Sequence, residues 1–437
     1  MRRALAFVVV AGLAGLAGLA GVAGFIFATG KPEIAPAREV KDYGRKVVSQ
    51  GETLAALGSC AYCHTRDGGK PFAGGRAIET PFGTLYSSNI TPHKESGIGQ
   101  WSLAAFTRAM REGVSRSGAY LYPAFPYDHF SRVNDEDIEA LYAYFMQGVS
   151  PQADKTPANA MSFPFNVRQG LAVWNALFLK PEAPKPGPGQ DAEWARGAYL
   201  AEGLGHCGAC HSPRNALGAI DAKRAYAGAF VNGWYAPALD ASSPAPIPWT
   251  KTALVNYLMD GWDKHHGLAA GSMGPVSSNL RDQKEDDMFA LAAYVVSLAG
   301  PAKSPQAQAE AERKAMARVD KTEWDPARDN APPNEIADPG QRLFQTRCAE
   351  CHKKGGKPAP LALNSALNLP DPTNVVRATF EGIKPPQGAL DRSMPAFRNQ
   401  ITEADMVAVV KFMRARFTER EPWANLEEIV RRESQRR

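Results

Sequence analysis

The pattern C-x-x-C-H occurs three times, at Cys60–His64, Cys207–His211 and Cys348–His352, and these motifs use all six cysteines of the 437-residue chain. It is the attachment signature of c-type haem. Each sulfur adds to one vinyl group of the porphyrin, and two intervening residues match the reach between the vinyls. The adjoining histidine then lies under the ring, where it ligates the iron. Cys60 and Cys63, Cys207 and Cys210, and Cys348 and Cys351 are therefore read as three pairs of haem attachment points. His64, His211 and His352 are read as the proximal ligands. A thioredoxin-type C-x-x-C needs no following histidine. A structural zinc site gathers four ligands from two neighbouring knuckles, whereas these motifs lie roughly 140 residues apart. Each must be complete by itself, so the expected cofactors are three covalently bound haem c.

The length fits about three domains, and the motifs divide the chain into three repeats. Each repeat begins with a helical run before its motif: "GETLAALGSC" from Gly51, "RGAYLAEGLGHC" from Arg196 and "GQRLFQTRC" from Gly340. Each ends with an acidic start and an apolar-periodic helix: "DEDIEALYAYFMQG", "EDDMFALAAYVVSLAG" and "TEADMVAVVKFMRARF". Acidic residues suit the positive end of a helix dipole. Leu141, Tyr144, Leu291, Tyr294, Val409 and Phe412 then form a buried stripe. A third helix-like run lies between: "FTRAMREGV", "LVNYLMDGW" and "VVRATFEGI". The expected fold is all-α, with cytochrome c domains over 40–150, 190–300 and 335–418 behind an N-terminal transmembrane helix. Proline- and glycine-dense stretches separate the repeats as extended connections. Within them, "QAQAEAERKAMARV" reads as a surface helix, as does the tail "PWANLEEIVRRESQRR".

Residues 1–30 set the expected compartment. Arg2 and Arg3 precede an uncharged run from Ala4 to Ala28. That run is longer than a signal h-region and lacks an A-x-A site near its end. It is long enough to cross a hydrocarbon core of about 30 Å. The arginines favour a cytoplasmic N-terminus, which puts the rest on the periplasmic face of the inner membrane; a cleaved signal segment is the alternative. The net charge of +5 is small for the length and argues for no nucleic-acid partner. No P-loop, dinucleotide glycine motif or G-x-S-x-G elbow occurs.

Methionine is the usual sixth ligand in cytochromes c. Met273 in "AAGSMGPV" and Met394 in "RSMPAF" occupy small-residue and proline loops, so they are read as the distal ligands of the second and third haems. His265 and His266 are the rivals of Met273. The first repeat departs from this pattern. Nearly the same span that separates His211 from Met273, counted from His64, lands on Phe125, which cannot ligate iron. His129, four residues on, is the expected ligand there. Met110, Met146 and Met161 are the alternatives, as is an open five-coordinate iron.

The whole chain after the leading apolar segment resembles the triheme cytochrome c subunits of bacterial membrane-bound periplasmic dehydrogenases. Three strings carry the resemblance: "GGKPFAGGRAIETPFGTLYSSNITPHKESGIGQWS", "FPFNVRQGLAVWNALFL" and "GLGHCGACHSPRN". It implies an electron-transfer subunit with no catalytic residues of its own. Electrons would come from a catalytic subunit, whether quinoprotein, flavoprotein or molybdenum hydroxylase, and pass to ubiquinone or another cytochrome. Many members carry methionine where this chain has Phe125, and the "PAFPYDHF" form looks most like the cytochromes that accompany molybdenum hydroxylases. Two other readings of the residues stand beside it: a haem peroxidase with an open first haem, and a freestanding shuttle. The segment "FPFNVRQGLAVWNALFL" is read as a helix packing the first domain against the second; the alternative is that Leu171, Val173, Trp174, Leu177 and Phe178 present an apolar face to the membrane or to a partner.

Overall fold

The computed structural model describes residues 29–182, 184–187, 189–301, 304–388 and 390–436. Backbone contacts divide the chain into two compact units. One comprises 1–54 with 63–182, the other 55–62 with 183–437.

Six helices frame the three motifs: α1 Arg45–Leu57, α2 Asp135–Ala143, α3 Ala192–Glu202, α4 Glu285–Ser297, α5 Pro339–Arg347 and α6 Glu403–Phe417. They cross in pairs, α1 on α2, α3 on α4 and α5 on α6, and each crossing depends on a glycine. A Cβ on Gly51 would lie 1.9 Å from the Ala140 carbonyl oxygen, one on Gly197 1.9 Å from that of Ala290, and one on Gly340 2.2 Å from that of Ala408. In each case the next near atom beyond the carbonyl is the Cβ of an aromatic residue, Tyr144, Tyr294 or Phe412. Only a residue without a side chain lets the two backbones approach so closely. Thus one packing solution occurs three times with different side chains around it.

The termini of these helices follow from local chemistry. The Asn134 side chain accepts from the Asp137 amide at the start of α2. Thr402 and Asp405 cap α6 reciprocally, which satisfies two amides that have no intrahelical partner. The intermediate runs are helices over Leu103–Glu112, Lys251–Asp260 and Thr373–Glu381.

The expected all-α fold behind a transmembrane helix is corrected on two points. No helix among the described residues is long and apolar enough to cross a membrane; the span read over 4–28 lies outside the described residues. The loops between helices also carry strands. In the first unit β1 Ala77–Thr80, β2 Gly83–Tyr86 and β3 Ala160–Met161 form an antiparallel sheet in that order. In the second unit β4 Ala229–Val231 pairs with β5 Trp234–Ala236, and β6 Trp262–Asp263 with β7 Gly267–Leu268. The physical reason is turn chemistry. Asn232 and Gly233 both sit at positive φ, 52° and 77°, as a two-residue type I′ hairpin requires.

In the first unit Phe72, Phe106, Tyr142 and Phe145 form a buried aromatic core. In the second unit the connecting segment is no loose linker. Helix Pro305–Thr322 buries Ala315 and Val319 against Ile247, Ala362 and Leu363. The tail helix Leu426–Ser434 adds Leu426, Ile429 and Val430 to the core of the third repeat. Its Glu433 is wholly buried and is flanked by Arg377, Arg432 and Arg436.

Candidate functional site

The first two motifs form single helical turns, Cys60–His64 and Cys207–His211. The third turns through a bond from the His352 amide to the Cys348 carbonyl, 2.9 Å. In a helical turn, residues three and four apart share a face. Cys60 and Cys63, Cys207 and Cys210, and Cys348 and Cys351 are each three apart. The spacing therefore brings both sulfurs and the following imidazole to one side of the backbone.

The histidines are held as metal ligands are held. His64 Nδ1 lies 2.7 Å from the Ser88 carbonyl oxygen and His211 Nδ1 2.7 Å from that of Pro237. A carbonyl only accepts, so Nδ1 carries the hydrogen and Nε2 is left with its lone pair. This outer bond fixes the tautomer and ring orientation of a ligating histidine. The Nδ1 of His352 is buried without a hydrogen-bond partner among the described residues. Burial lowers the affinity of all three rings for a second proton, in His352 to about 4. This shift favours the neutral ring that iron ligation demands.

The thiols point the same way. Burial raises Cys207 and Cys348 to about 12, and it raises Cys210. A zinc ligand or a reactive redox cysteine needs the thiolate and is found where the pKa is lowered. A thioether carries no charge and suits an apolar surround. Cys60, Cys63, Cys207, Cys210 and Cys348 are partly buried and Cys351 is exposed, and none of the six is in a disulfide. No cluster of three or more metal-binding His, Cys, Asp or Glu side chains occurs among the described residues.

The second unit encloses a cavity of about 920 Å³. Its walls include Cys207, Cys210 and His211 of the second motif and Cys348, Cys351 and His352 of the third, together with Met273 and Met394. Pockets for a single ligand span roughly 300–1,000 Å³, and this one contains two complete attachment motifs. The residues fit covalently bound haem: sulfurs and a neutral imidazole on one side, with a thioether lining the same space. His266 lines this cavity too, but both its ring nitrogens face oxygen acceptors. His265 is half-buried with Nε2 3.8 Å from Glu312.

In the first unit Phe125 packs against Phe130, ring centres 5.4 Å apart. His129 lies buried on the short helix Tyr127–Phe130, its Nδ1 3.4 Å from an Arg132 guanidinium nitrogen. Met110 is buried on helix Leu103–Glu112, and Met161 sits on β3 opposite Gly83. Sequence reasoning missed the carbonyl acceptors Ser88 and Pro237, because backbone groups carry no residue signal. It also missed Asp263, the partner of His266, whose signal was only an acidic residue three positions upstream.

Motif helices, carbonyl-bonded histidines and glycine-tight crossings define a c-type cytochrome with covalently bound haem c. Comparison with known proteins narrows this. Residues 335–413 match the family described as cytochrome c oxidase, cbb3-type, subunit III. The chain is 35% identical over 400 residues to the cytochrome c subunit of alcohol dehydrogenase (quinone) from Gluconobacter oxydans, covering 86% of this chain and 80% of that protein. It is 36% identical over 387 residues to the gluconate 2-dehydrogenase cytochrome c subunit from Pantoea cypripedii, covering 84% and 85%. With a nicotinate dehydrogenase subunit from Pseudomonas putida it shares 43% identity over 414 residues, 92% of this chain but only 33% of that longer protein. The chain belongs to the family of cytochrome c subunits of dehydrogenase complexes.

Proposed function

We propose that this chain is a triheme electron-transfer subunit that takes electrons from the catalytic subunit of a periplasmic dehydrogenase. It passes them to the respiratory chain, to ubiquinone or another cytochrome. The observation that carries the proposal is the threefold C-x-x-C-H motif, in two copies of which the following histidine is bonded through Nδ1 to a backbone carbonyl. In this reading His64, His211 and His352 are the proximal ligands, Met273 and Met394 the distal ligands of the second and third haems, and His129 that of the first. The haem supplies the one-electron chemistry. The residues of the chain fix the iron ligands, hold the histidine tautomers and exclude water. Thioether attachment of haem fits the periplasmic side of the inner membrane.

The higher identity to the nicotinate dehydrogenase subunit supports a partner that oxidises a nicotinate-like N-heterocycle, of the molybdenum hydroxylase class. Quinoprotein and flavoprotein partners are the other members of the set. Purification of the tagged chain from its native host tests this. A large dehydrogenase subunit should accompany it, and the haems of the complex should be reduced by nicotinate. Recovery of the cytochrome alone favours the freestanding shuttle. Reduction by an alcohol or a sugar acid instead moves the partner to another class.

A further inference from the structure

The second repeat contains a buried polar assembly that haem attachment does not account for. His266 sits in the turn of the β6–β7 hairpin and is 8% exposed, and Asp263 on β6 is 3% exposed. His266 Nδ1 lies 2.7 Å from Asp263 Oδ1, and Nε2 lies 3.1 Å from the Ile247 carbonyl oxygen. Its ring stacks on Trp249, centres 3.5 Å apart and planes 15° from parallel. The same Asp263 oxygen accepts from the His265 amide at 2.9 Å. Both nitrogens are engaged by oxygen atoms of the chain, so neither is turned to iron.

The place of this assembly in the chain gives it a purpose. Helix Lys251–Asp260 ends at Gly261 with φ 72°, and β6 follows at once. After β7 the Ala269 amide returns to the Gly261 carbonyl at 2.8 Å, and Gly271, at φ 57°, brings the backbone against Trp234. Met273 then opens helix Met273–Leu280. A two-pair hairpin cannot hold itself in one position. His266 ties the turn to the body of the repeat through the Ile247 carbonyl and the Trp249 ring, beside the weaker approach of His265 Nε2 to Glu312 at 3.8 Å. A ligand on a loop is held to within about 0.5 Å only when packing and outer hydrogen bonds lock it.

We propose that His266 is a positioning residue for the sixth ligand of the second haem: with Asp263, the Ile247 carbonyl and Trp249 it pins the β6–β7 hairpin that delivers Met273 to the iron. The proposal rests on the reading of Met273 as that ligand. Asp263 is well placed for the role. Burial would raise its pKa, but the bonds from His266 and the His265 amide outweigh this and leave it below the usual carboxylate range. A carboxylate that stays ionised remains a strong acceptor.

The test uses the full haem-loaded chain and two readouts, the red-edge charge-transfer band of ferric methionine-ligated haem and carbon monoxide binding to the reduced protein. Met273→Ala should remove one haem's share of the band and create one haem that binds carbon monoxide. His266→Phe keeps a ring on Trp249 but loses both ring nitrogens, and should reproduce at least half of both changes. Asp263→Asn retains an oxygen that accepts from His266 and should match the unsubstituted protein. If Met273→Ala alters the spectrum and His266→Phe does not, the positioning role is overturned while the ligand reading stands. If Met273→Ala changes nothing, the ligand reading fails and takes the inference with it. An Asp263→Asn spectrum like that of His266→Phe also overturns the hydrogen-bond account. Should His266→Phe not load haem, Asp263→Ala leaves the Trp249 stack in place. It is expected to lose the band, and an intact band in it overturns the proposal.

Discussion

His64 and His211 each donate Nδ1–H to a backbone carbonyl, and His352 has a buried Nδ1 without a partner among the described residues. The first two rings are therefore held by a bond to another part of the chain, the third by packing. The distal side divides differently. Met273 and Met394 line the cavity of the second unit, whereas Phe125 in the first unit packs among aromatic rings. The expected spectroscopic outcome is unequal. Met394→Ala should remove one haem's share of the methionine charge-transfer band. His129→Ala should leave that band whole and turn one haem high-spin, because an imidazole ligand contributes no thioether transition. Optical spectra of the two purified variants check both, and a low-spin His129→Ala protein would transfer the role to Met161 or another methionine. At this scale the residues expected around the second and third haems do line one cavity, because the attachment pattern is encoded in five consecutive residues; Met273, expected in a loop, instead opens helix Met273–Leu280. Ser88 and Pro237 were not legible in the sequence. They lie 24 and 26 residues beyond the histidines they hold and contribute only a carbonyl, which every residue has.

Among the elements, the paired helices α1–α2, α3–α4 and α5–α6 share a crossing that tolerates no side chain at Gly51, Gly197 or Gly340. Gly197→Ala puts a Cβ 1.9 Å from the Ala290 oxygen, against backbone that cannot swing away. Overpacking against side chains costs about 1–3 kcal/mol, and this contact should cost at least about 3 kcal/mol by the same reasoning. Gly44→Ala, with nothing within 4 Å of the added carbon, should stay within about 0.5 kcal/mol. Urea midpoints of the two proteins decide the matter. The capping box of α6 gives a smaller effect. Thr402→Ala removes the bond to the Asp405 amide and should cost about 1 kcal/mol in the same measurement. The helices were legible because an apolar stripe of period 3.6 has a direct physical cause in burial. The hairpins were not legible as elements, although Asn232–Gly233 between Phe230–Val231 and Trp234–Tyr235 is a strong turn signal: strands of two or three residues are too short to show an alternation of period two. Helix Leu171–Phe178 is the segment read as packing the first domain against the second. It buries Trp174 against Tyr127, ring centres 5.8 Å apart, but leaves Val173 and Leu177 exposed.

On the scale of the whole molecule, the three motifs predict three covalent haems per chain, and a pyridine haemochrome assay of the mature protein should return that number. Acid should weaken the third repeat. Asp329 bonds Arg416 of α6 at 3.0 Å and Arg328 at 2.7 Å. Burial would raise its carboxyl, but the bonds from Arg328 and from the Asp325 amide, with the charge of Arg416, hold it lower than usual. A carboxylate depressed in the folded state adds stability that is fully present above its unfolded pKa of about 3.9, and that stability is lost as pH falls through the lower folded value. Asp329→Asn should therefore flatten the dependence of unfolding on pH below about 4, measured by urea titration, and leave it unchanged near neutrality.

The amino-acid sequence by itself determined the cofactor chemistry and the threefold helical plan, because both are written in short windows: five residues for haem attachment, one helical period for each buried stripe. The tertiary structure alone decided what depends on distant segments meeting. It joined the second and third motifs in one cavity, gave His64 and His211 their carbonyl acceptors, and buried the tail helix through Glu433. It also turned both nitrogens of His266 away from a metal and toward Asp263 and Ile247. Such pairings follow from which surfaces remain after each repeat closes on its own core, and no local window of residues records them.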